Sequence, residues 1–252
     1  MMSNKEDIEV IASELQARIE EHDKNRKDIH QCLEKGCSEK EQQVNTLEDK
    51  LIDELEAKFN AVASPLQNIL CDLCQCKGDS KKLAKLIKDA KEELKVKWTC
   101  CLEKAHRTYS DVVNCFSLIF KKSNVDVTQW EDRSTVADAL NKQIDDYEKN
   151  RLETQEDIHA TCEWVKTQIA LCRESAFECL KEWYTREDSR LQKALSEFRE
   201  YGKKVKIGEA YVRQAKQCLA IKQTYKLSEC GYNEITKNIL FVCPKGACCQ
   251  VA

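Results

Sequence analysis

The sequence predicts an all-α protein built as an elongated antiparallel coiled coil or helical bundle of long helices. Its 252 residues contain only 6 Gly and 2 Pro, so few turns interrupt the chain. Charged residues make up 34% and aromatic residues 7%, which favours narrow apolar seams between charged helix faces over one thick core. Apolar residues also recur every three or four positions along most of the chain, as on one face of a helix.

The first half of the chain is predicted to form one helical hairpin over residues 1–125. Its first helix is expected over about 5–62 and should end before Pro65, because the residue preceding proline avoids helical angles. A loop over 71–80 follows, in which Asp79 or Ser80 is expected to cap the next helix. That second helix, over about 80–121, has the most regular apolar stripe in the sequence.

The second half is predicted to form another hairpin over 126–243, with helices at about 130–201 and 207–242. Residues 244–252 are expected to form a flexible tail. Loop lengths allow the two hairpins to fold together as one four-helix bundle or to lie end to end, and the sequence leaves this choice open.

Two segments resemble each other and indicate that the hairpins are degenerate internal repeats. The segment 19–26 reads IEEHDKNR and the segment 144–151 reads IDDYEKNR. His30 and His159 follow in the shared run Asp-Ile-His, although the spacing from the first match is not kept, and they are interpreted as equivalent residues of the repeat. The alternative is that two charged coiled coils of biased composition are similar by chance.

The apolar stripes also supply a candidate interaction seam for protein partners or for a second copy of the chain. The alternative is that these residues only fill the protein's own bundle. The seam comprises Leu83, Ile87, Leu94, Trp98, Tyr109, Phe116, Ile158, Val165, Ile169 and Trp183.

The polar N-terminal residues and the lack of a long apolar stretch predict a cytoplasmic protein. The N-terminal residues are polar and lack the apolar stretch of a secretory signal, and no long apolar window predicts a membrane span. In a reducing compartment most of the 16 cysteines should be free thiols. The net charge of −3 gives no field that would gather nucleic acid, so we expect no nucleic-acid partner.

The last four residues, Cys249-Gln-Val-Ala252, fit the pattern for prenylation of a cysteine three places before a terminal carboxylate. The motif requires that Ala252 carry the free carboxylate, and a terminal alanine is typical of farnesylation. Cys248 could take a reversible palmitate, which matters because one prenyl chain gives only marginal membrane attachment. The sequence therefore predicts a peripheral protein on a cytoplasmic membrane face. The alternative is a tail that is merely rich in cysteine.

A second cysteine cluster, at Cys71, Cys74 and Cys76, is the candidate for a zinc-binding or redox module. Cys100 and Cys101 could complete a tetrahedral thiolate site, but they are adjacent and fall inside the predicted helix, whereas structural zinc sites use paired ligands on tight turns. The βαβ context of a redox C-x-x-C motif is also missing.

The sequence contains no phosphate-binding loop, nucleophile elbow or metalloprotease helix, so we expect neither an enzyme nor a cofactor nor a small-molecule substrate. The function predicted first is a non-catalytic scaffold that mediates protein–protein interaction. The cysteine-rich metal or redox module is one alternative, and an α-helical enzyme with an unrecognised site is another.

Overall fold

The computed structural model describes residues 3–76, 79–103, 116–203, 215–217 and 219. Three helices with defined bounds and one two-stranded antiparallel sheet lie in these ranges, beside a short helical segment at 215–217. In chain order they are α1 (Ser3–Gln75), α2 (Ser80–Leu94), β1 (Val96–Glu103), β2 (Ser117–Asn124) and α3 (Arg133–Lys203).

The helices α1 and α3 dominate the fold, with 73 and 71 residues. They pack against each other in opposite directions, since early positions of α1 share buried clusters with late positions of α3: Leu15 lies in one cluster with Leu195, and Leu33 in another with Ala176. This arrangement confirms the predicted helical bundle of long helices. The predicted pairing of helix 5–62 with a helix over 80–121 is wrong, because α1 instead uses α3 as its partner.

The chain divides into two compact units, which we call unit 1 (1–41 with 168–252) and unit 2 (42–167). These units do not follow the predicted boundary near residue 125, because each joins part of α1 to part of α3. Unit 1 has two apolar clusters along its helix pair, and the short helical segment 215–217 adds Ala215 to one of them. The predicted helix over 207–242 otherwise lies outside the described residues, as does the tail over 244–252.

The predicted end of the first helix before Pro65 is wrong, because α1 continues through this residue to Gln75. A proline inside a helix removes one hydrogen bond and crowds the preceding turn, at a cost of about 3 kcal/mol. Packing of the helix before and after Pro65 offsets this cost, since Phe59, Leu66 and Leu73 are all buried. Tertiary contacts therefore override the local breaking signal.

Asp79 starts α2 as predicted, since its side chain accepts hydrogen bonds from the backbone N–H groups of Lys81 and Lys82 at 3.0 and 3.1 Å. The predicted helix over 80–121, however, is wrong beyond Leu94, where α2 ends. From Val96 the chain is extended. Burial there alternates, with Cys100 and Leu102 buried and their neighbours exposed, as expected for a strand.

Strands β1 and β2 form an antiparallel pair in which Val96 lies opposite Asn124 and Glu103 lies opposite Ser117. A two-stranded sheet is marginal by itself and needs a surface to pack on. The helices provide that surface, since Lys58 of α1 sits over the rings of Trp98 and Phe120 at 4.6 and 5.6 Å. Phe59 contacts the Phe120 ring from the same helix, with 6.3 Å between the centroids.

The free edge of β1 is satisfied by polar side chains of α3. Asn150 accepts a hydrogen bond from the Cys100 backbone N–H at 2.6 Å and donates one to the Cys100 carbonyl at 3.1 Å. Gln143 donates to the Val96 carbonyl at 2.9 Å. The Tyr147 hydroxyl accepts from the Trp98 N–H at 3.3 Å and donates to the Val96 carbonyl at 3.2 Å. These side chains, three or four positions apart, occupy one face of α3 and act in place of a third strand.

The start of α3 is fastened to the end of α1. Asp132 caps α3 by accepting a hydrogen bond from the Thr135 N–H at 2.9 Å, which agrees with the predicted start at about residue 130. The next residue, Arg133, donates to the carbonyls of Cys74 and Cys76 at 3.0 and 3.2 Å. A guanidinium suits the negative end of a helix dipole, so Arg133 both caps α1 and holds the two helices together.

The edge-capping role of Asn150 predicts that Asn150→Ala lowers the free energy of unfolding by about 1–3 kcal/mol, because the buried N–H of Cys100 loses its acceptor. Urea unfolding followed by far-ultraviolet circular dichroism measures the change. The matched control is Asp145→Ala, an exposed position on the same helix that removes a similarly poor helix former. A loss for Asn150→Ala no larger than the control's would contradict the role.

Candidate functional site

The polar cluster in unit 2 centres on Glu48, whose residue is only 8% exposed. Lys166 of α3 donates to this carboxylate at 3.1 Å, and the ring nitrogen Nδ1 of His159 contacts its other oxygen. Burial by itself raises the pKa of Glu48, but hydrogen bonds with Lys166 and His159 together outweigh burial and hold this pKa below its usual value. The cluster thus joins α1 to α3 through an ionised carboxylate.

Two histidines in unit 1 lie at the contact between α1 and α3. The His22 ring is 6.0 Å from that of Trp183 and 5.9 Å from that of Tyr184, between centroids. Its Nδ1 lies 3.4 Å from a carboxylate oxygen of Asp188, and both atoms are buried without a hydrogen bond. His30 stacks on Phe177, with 4.2 Å between ring centroids. The histidines expected to be equivalent, His30 and His159, therefore have different partners.

Two open grooves run along the helix pair of unit 1, each of about 500 Å³. Ile19 and Leu195 lie at the base of one, beside Arg199 and Glu200. The other is lined by the stacked rings of His30 and Phe177 together with three cations, Arg26, Lys27 and Lys181. Arg26 is already bound to Asp23 at 2.7 Å.

The predicted metal-binding cysteines lie around the end of α1. Cys71 and Cys74 are exposed and Cys76 is buried, and all three are free thiols. Cys100 and Cys101, the suggested additional ligands, lie in β1 on opposite faces of the strand, with Cys100 buried and Cys101 exposed. Among the described residues, no three His, Cys, Asp or Glu side chains are grouped closely enough to hold a metal ion.

Eight of the described cysteines are free thiols and two others are not, in line with the expectation that most would be free. Cys32 of α1 and Cys179 of α3 are both disulfide-bonded. Nearby in unit 1, Cys37 and Cys172 remain free and buried. Burial raises the pKa of the Cys37 thiol to about 12 and also raises that of Cys172, so these two stay protonated at neutral pH.

The residues of the predicted interaction seam lie in several different elements of the structure. Five members are buried inside the protein, one at the end of α2 and four on α3: Leu94, Ile158, Val165, Ile169 and Trp183. Leu83 and Ile87 are half-buried on α2, and Trp98 is half-buried in β1. Phe116 is buried just before β2, whereas Tyr109 lies outside the described residues. The buried members fill the internal core and are not available to a partner in this conformation.

The lipidation candidates Cys248 and Cys249 also lie outside the described residues. Where the chain is described, none of its helices is long and apolar enough to cross a bilayer.

Comparison of the chain with protein-family models, with curated proteins and with solved structures finds no match.

Sequence reasoning missed both the carboxylate cluster and the polar edge of α3. Glu48 is 111 positions from His159 and 118 positions from Lys166 in the sequence, so no local pattern connects it to them. A signal for the polar edge did exist, because Gln143, Asn150 and Thr154 keep the apolar stripe's spacing while interrupting its chemistry. Polar residues at seam positions indicate that the seam faces a backbone edge or another polar group.

The depressed pKa of Glu48 predicts that Glu48→Gln destabilises the protein by about 1–2 kcal/mol at pH 7. A carboxyl whose folded pKa lies below its unfolded value stabilises the fold above the unfolded pKa. That contribution disappears as the pH falls through the folded value. The difference from wild type in urea unfolding should therefore shrink between pH 6 and pH 3.

The control for this measurement is Glu163→Gln, since Glu163 also binds Lys166, at 2.9 Å, but is exposed. Its effect should stay below about 0.5 kcal/mol at every pH because water screens exposed pairs. Equal losses for the two variants at pH 7 would show that burial of Glu48 has no special effect.

Proposed function

We propose that this protein is a non-catalytic helical scaffold that associates through its outward helix faces and is tethered to a cytoplasmic membrane face by a prenyl group on Cys249. The observation that carries the scaffold proposal is the pairing of α1 with α3, which commits the two longest elements to each other along buried apolar residues. A paired helix buries one side and leaves the other sides open to protein contacts.

Partner contacts are best sought on the exposed apolar side chains of these helices. Val10 of α1 is 56% exposed and Leu171 of α3 is 54% exposed, both in unit 1. Leu152 of unit 2 is 46% exposed. Single exposed apolar residues are common on protein surfaces, but on a helix flank they suit docking of a second amphipathic helix. A second copy of this chain supplies such helices.

The tether proposal rests on the sequence motif at Cys249 and on the need for two membrane signals. One prenyl chain holds a protein only marginally, so a second lipid at Cys248 would complete the anchor. The proposed scaffold would then gather its partners at a membrane surface.

The association proposal predicts that purified protein carrying Cys249→Ser shows an average mass that rises with concentration in sedimentation velocity. Leu171→Glu should shift this equilibrium towards the monomer by tenfold or more, since a charge would be desolvated in an apolar contact. The matched control, Glu174→Gln, changes an exposed residue less than one turn away and should leave the equilibrium unchanged. A constant monomer mass at all concentrations contradicts self-association.

The tether proposal predicts that cells fed an alkyne analogue of farnesol label the wild-type protein and not Cys249→Ser. Cys248→Ser should keep the label but lose much of the membrane-bound fraction, because one lipid remains. Cys243→Ser, which alters a cysteine six residues before Cys249, should behave as wild type. Absence of label on the wild-type protein would refute prenylation while leaving the association measurement unaffected.

A further inference from the structure

We propose that Cys32 and Cys179 form one reversible disulfide that fastens α1 to α3 in unit 1, and that its reduction loosens this helix pair. The proposal concerns a modification site separate from the tail cysteines and does not depend on the scaffold or tether. It rests on the positions of the two cysteines on their helices, on a buried polar pair in the same unit and on the state of the neighbouring thiols.

The positions of the two cysteines on their helices bring them together. Cys32 precedes Leu33 and Cys179 precedes Leu180, and these two leucines belong to one buried cluster with Ile29 and Ala176. Successive residues rotate by about 100° around a helix, so each cysteine lies on one flank of its buried stripe.

The other flank of the same stripe carries His30 on α1 and Phe177 on α3, by the same rotation. These two rings stack at 4.2 Å. Since the helices are antiparallel and meet on that flank, the opposite flanks also meet, which places Cys32 against Cys179. Both residues are disulfide-bonded and both lie in unit 1, as a bond between them requires.

The helix pair of unit 1 also contains a buried polar pair that weakens it, about ten residues along each helix from this bond. His22 Nδ1 and Asp188 Oδ1 are buried at 3.4 Å from each other, with neither satisfied by a hydrogen bond. A buried polar group without a partner costs stability. The helix pair of unit 2, by contrast, is reinforced by Arg133 and by the hydrogen bonds of α3 to β1. A covalent link in unit 1 would offset part of this cost.

The neighbouring thiols cannot easily disturb the bond. Cys37 and Cys172 are 0% and 5% exposed, and the pKa of each is raised by burial, so neither supplies the thiolate that attacks a disulfide. Cys32 and Cys179 are only half-buried, which leaves them within reach of a small thiol. Of the four described cysteines in unit 1, Cys32, Cys37, Cys172 and Cys179, only the bonded pair is thus open to exchange.

The oxidant is a low-molecular-weight disulfide such as oxidised glutathione. One cysteine thiolate attacks it to form a mixed disulfide and releases one small thiolate. The second cysteine thiolate then attacks the sulfur of the first cysteine, which forms the Cys32–Cys179 bond and releases the second small thiolate. Two protons leave the cysteines and are taken up by the two released thiolates, and two electrons pass from the protein to the oxidant.

The test equilibrates the full-length protein with oxidised or reduced glutathione, traps thiols with an alkylating reagent and maps the peptides by mass spectrometry. A linked peptide pair containing Cys32 and Cys179 is expected under oxidising conditions, and both cysteines should be alkylated under reducing conditions. The proposal would be overturned if Cys32 and Cys179 were both recovered as alkylated thiols after oxidation. This measurement uses the wild-type protein alone.

Thermal unfolding and hydrogen exchange measure the consequence. A bond that closes a loop of about 150 residues should raise the melting temperature by roughly 10 °C over the reduced protein. Reduction should also speed amide exchange in segments 22–37 and 172–188 while leaving 136–158 unchanged. Equal melting temperatures and equal exchange in the two states would overturn the proposed loosening.

The matched variants separate the bond from cysteine packing. Replacing Cys32 and Cys179 together by serine should abolish the response of the melting temperature to reductant. Replacing Cys37 and Cys172 together by alanine should lower the melting temperature in both states, through lost core packing, and keep the response. The proposal would be overturned if the double variant of Cys32 and Cys179 kept the response to reductant while the double variant of Cys37 and Cys172 lost it. Redox sensitivity would then belong to Cys37 and Cys172.

Discussion

Pairing of α1 with α3 is the constraint on which the other elements depend. Each helix is too rich in charge to bury more than one stripe, and in unit 1 the apolar clusters on that stripe are shared with the other helix. Two buried clusters hold the helices together in unit 1, one that includes Leu15 and Leu195 and one that includes Ile29 and Leu180. The strands between the two helices pack on positions inside both of them, at Phe59 of α1 and at Asn150 of α3.

The chain between α1 and α3 includes α2 and the β-hairpin. The hairpin depends on α1 and α3 for an apolar surface to pack on and for hydrogen-bond partners at its open edge. Apolar and aromatic side chains of the hairpin contact α1 at Phe59 and Lys58, while the open backbone edge of β1 is satisfied by α3. A polar row on a helix in place of a third strand removes the exposed edge on that side, which would otherwise invite pairing with another chain. The gap in the apolar stripe of α3 thus has a structural purpose.

Units 1 and 2 stabilise the same helix pair by different chemistry. In unit 2, the buried Glu48 and the backbone contacts of Arg133 provide polar links between the helices. In unit 1, apolar clusters alternate with the unsatisfied pair His22 and Asp188, and two cysteines are in disulfide form. Polar links of the first kind respond to pH, and a covalent link responds to redox conditions, so one fold can have two independent sensitivities.

The sequence by itself determined the helical class, the extent of α3 and the Asp79 cap, because these depend on residues three or four positions apart. Only the tertiary structure decided that α1 passes through Pro65, that residues 96–124 contain a hairpin, and that Glu48 meets His159. Each of these depends on contacts between residues far apart in the chain, whose energy outweighs local preference. The same holds for Cys32 and Cys179, since no spacing in the sequence shows which flanks of two helices will face each other.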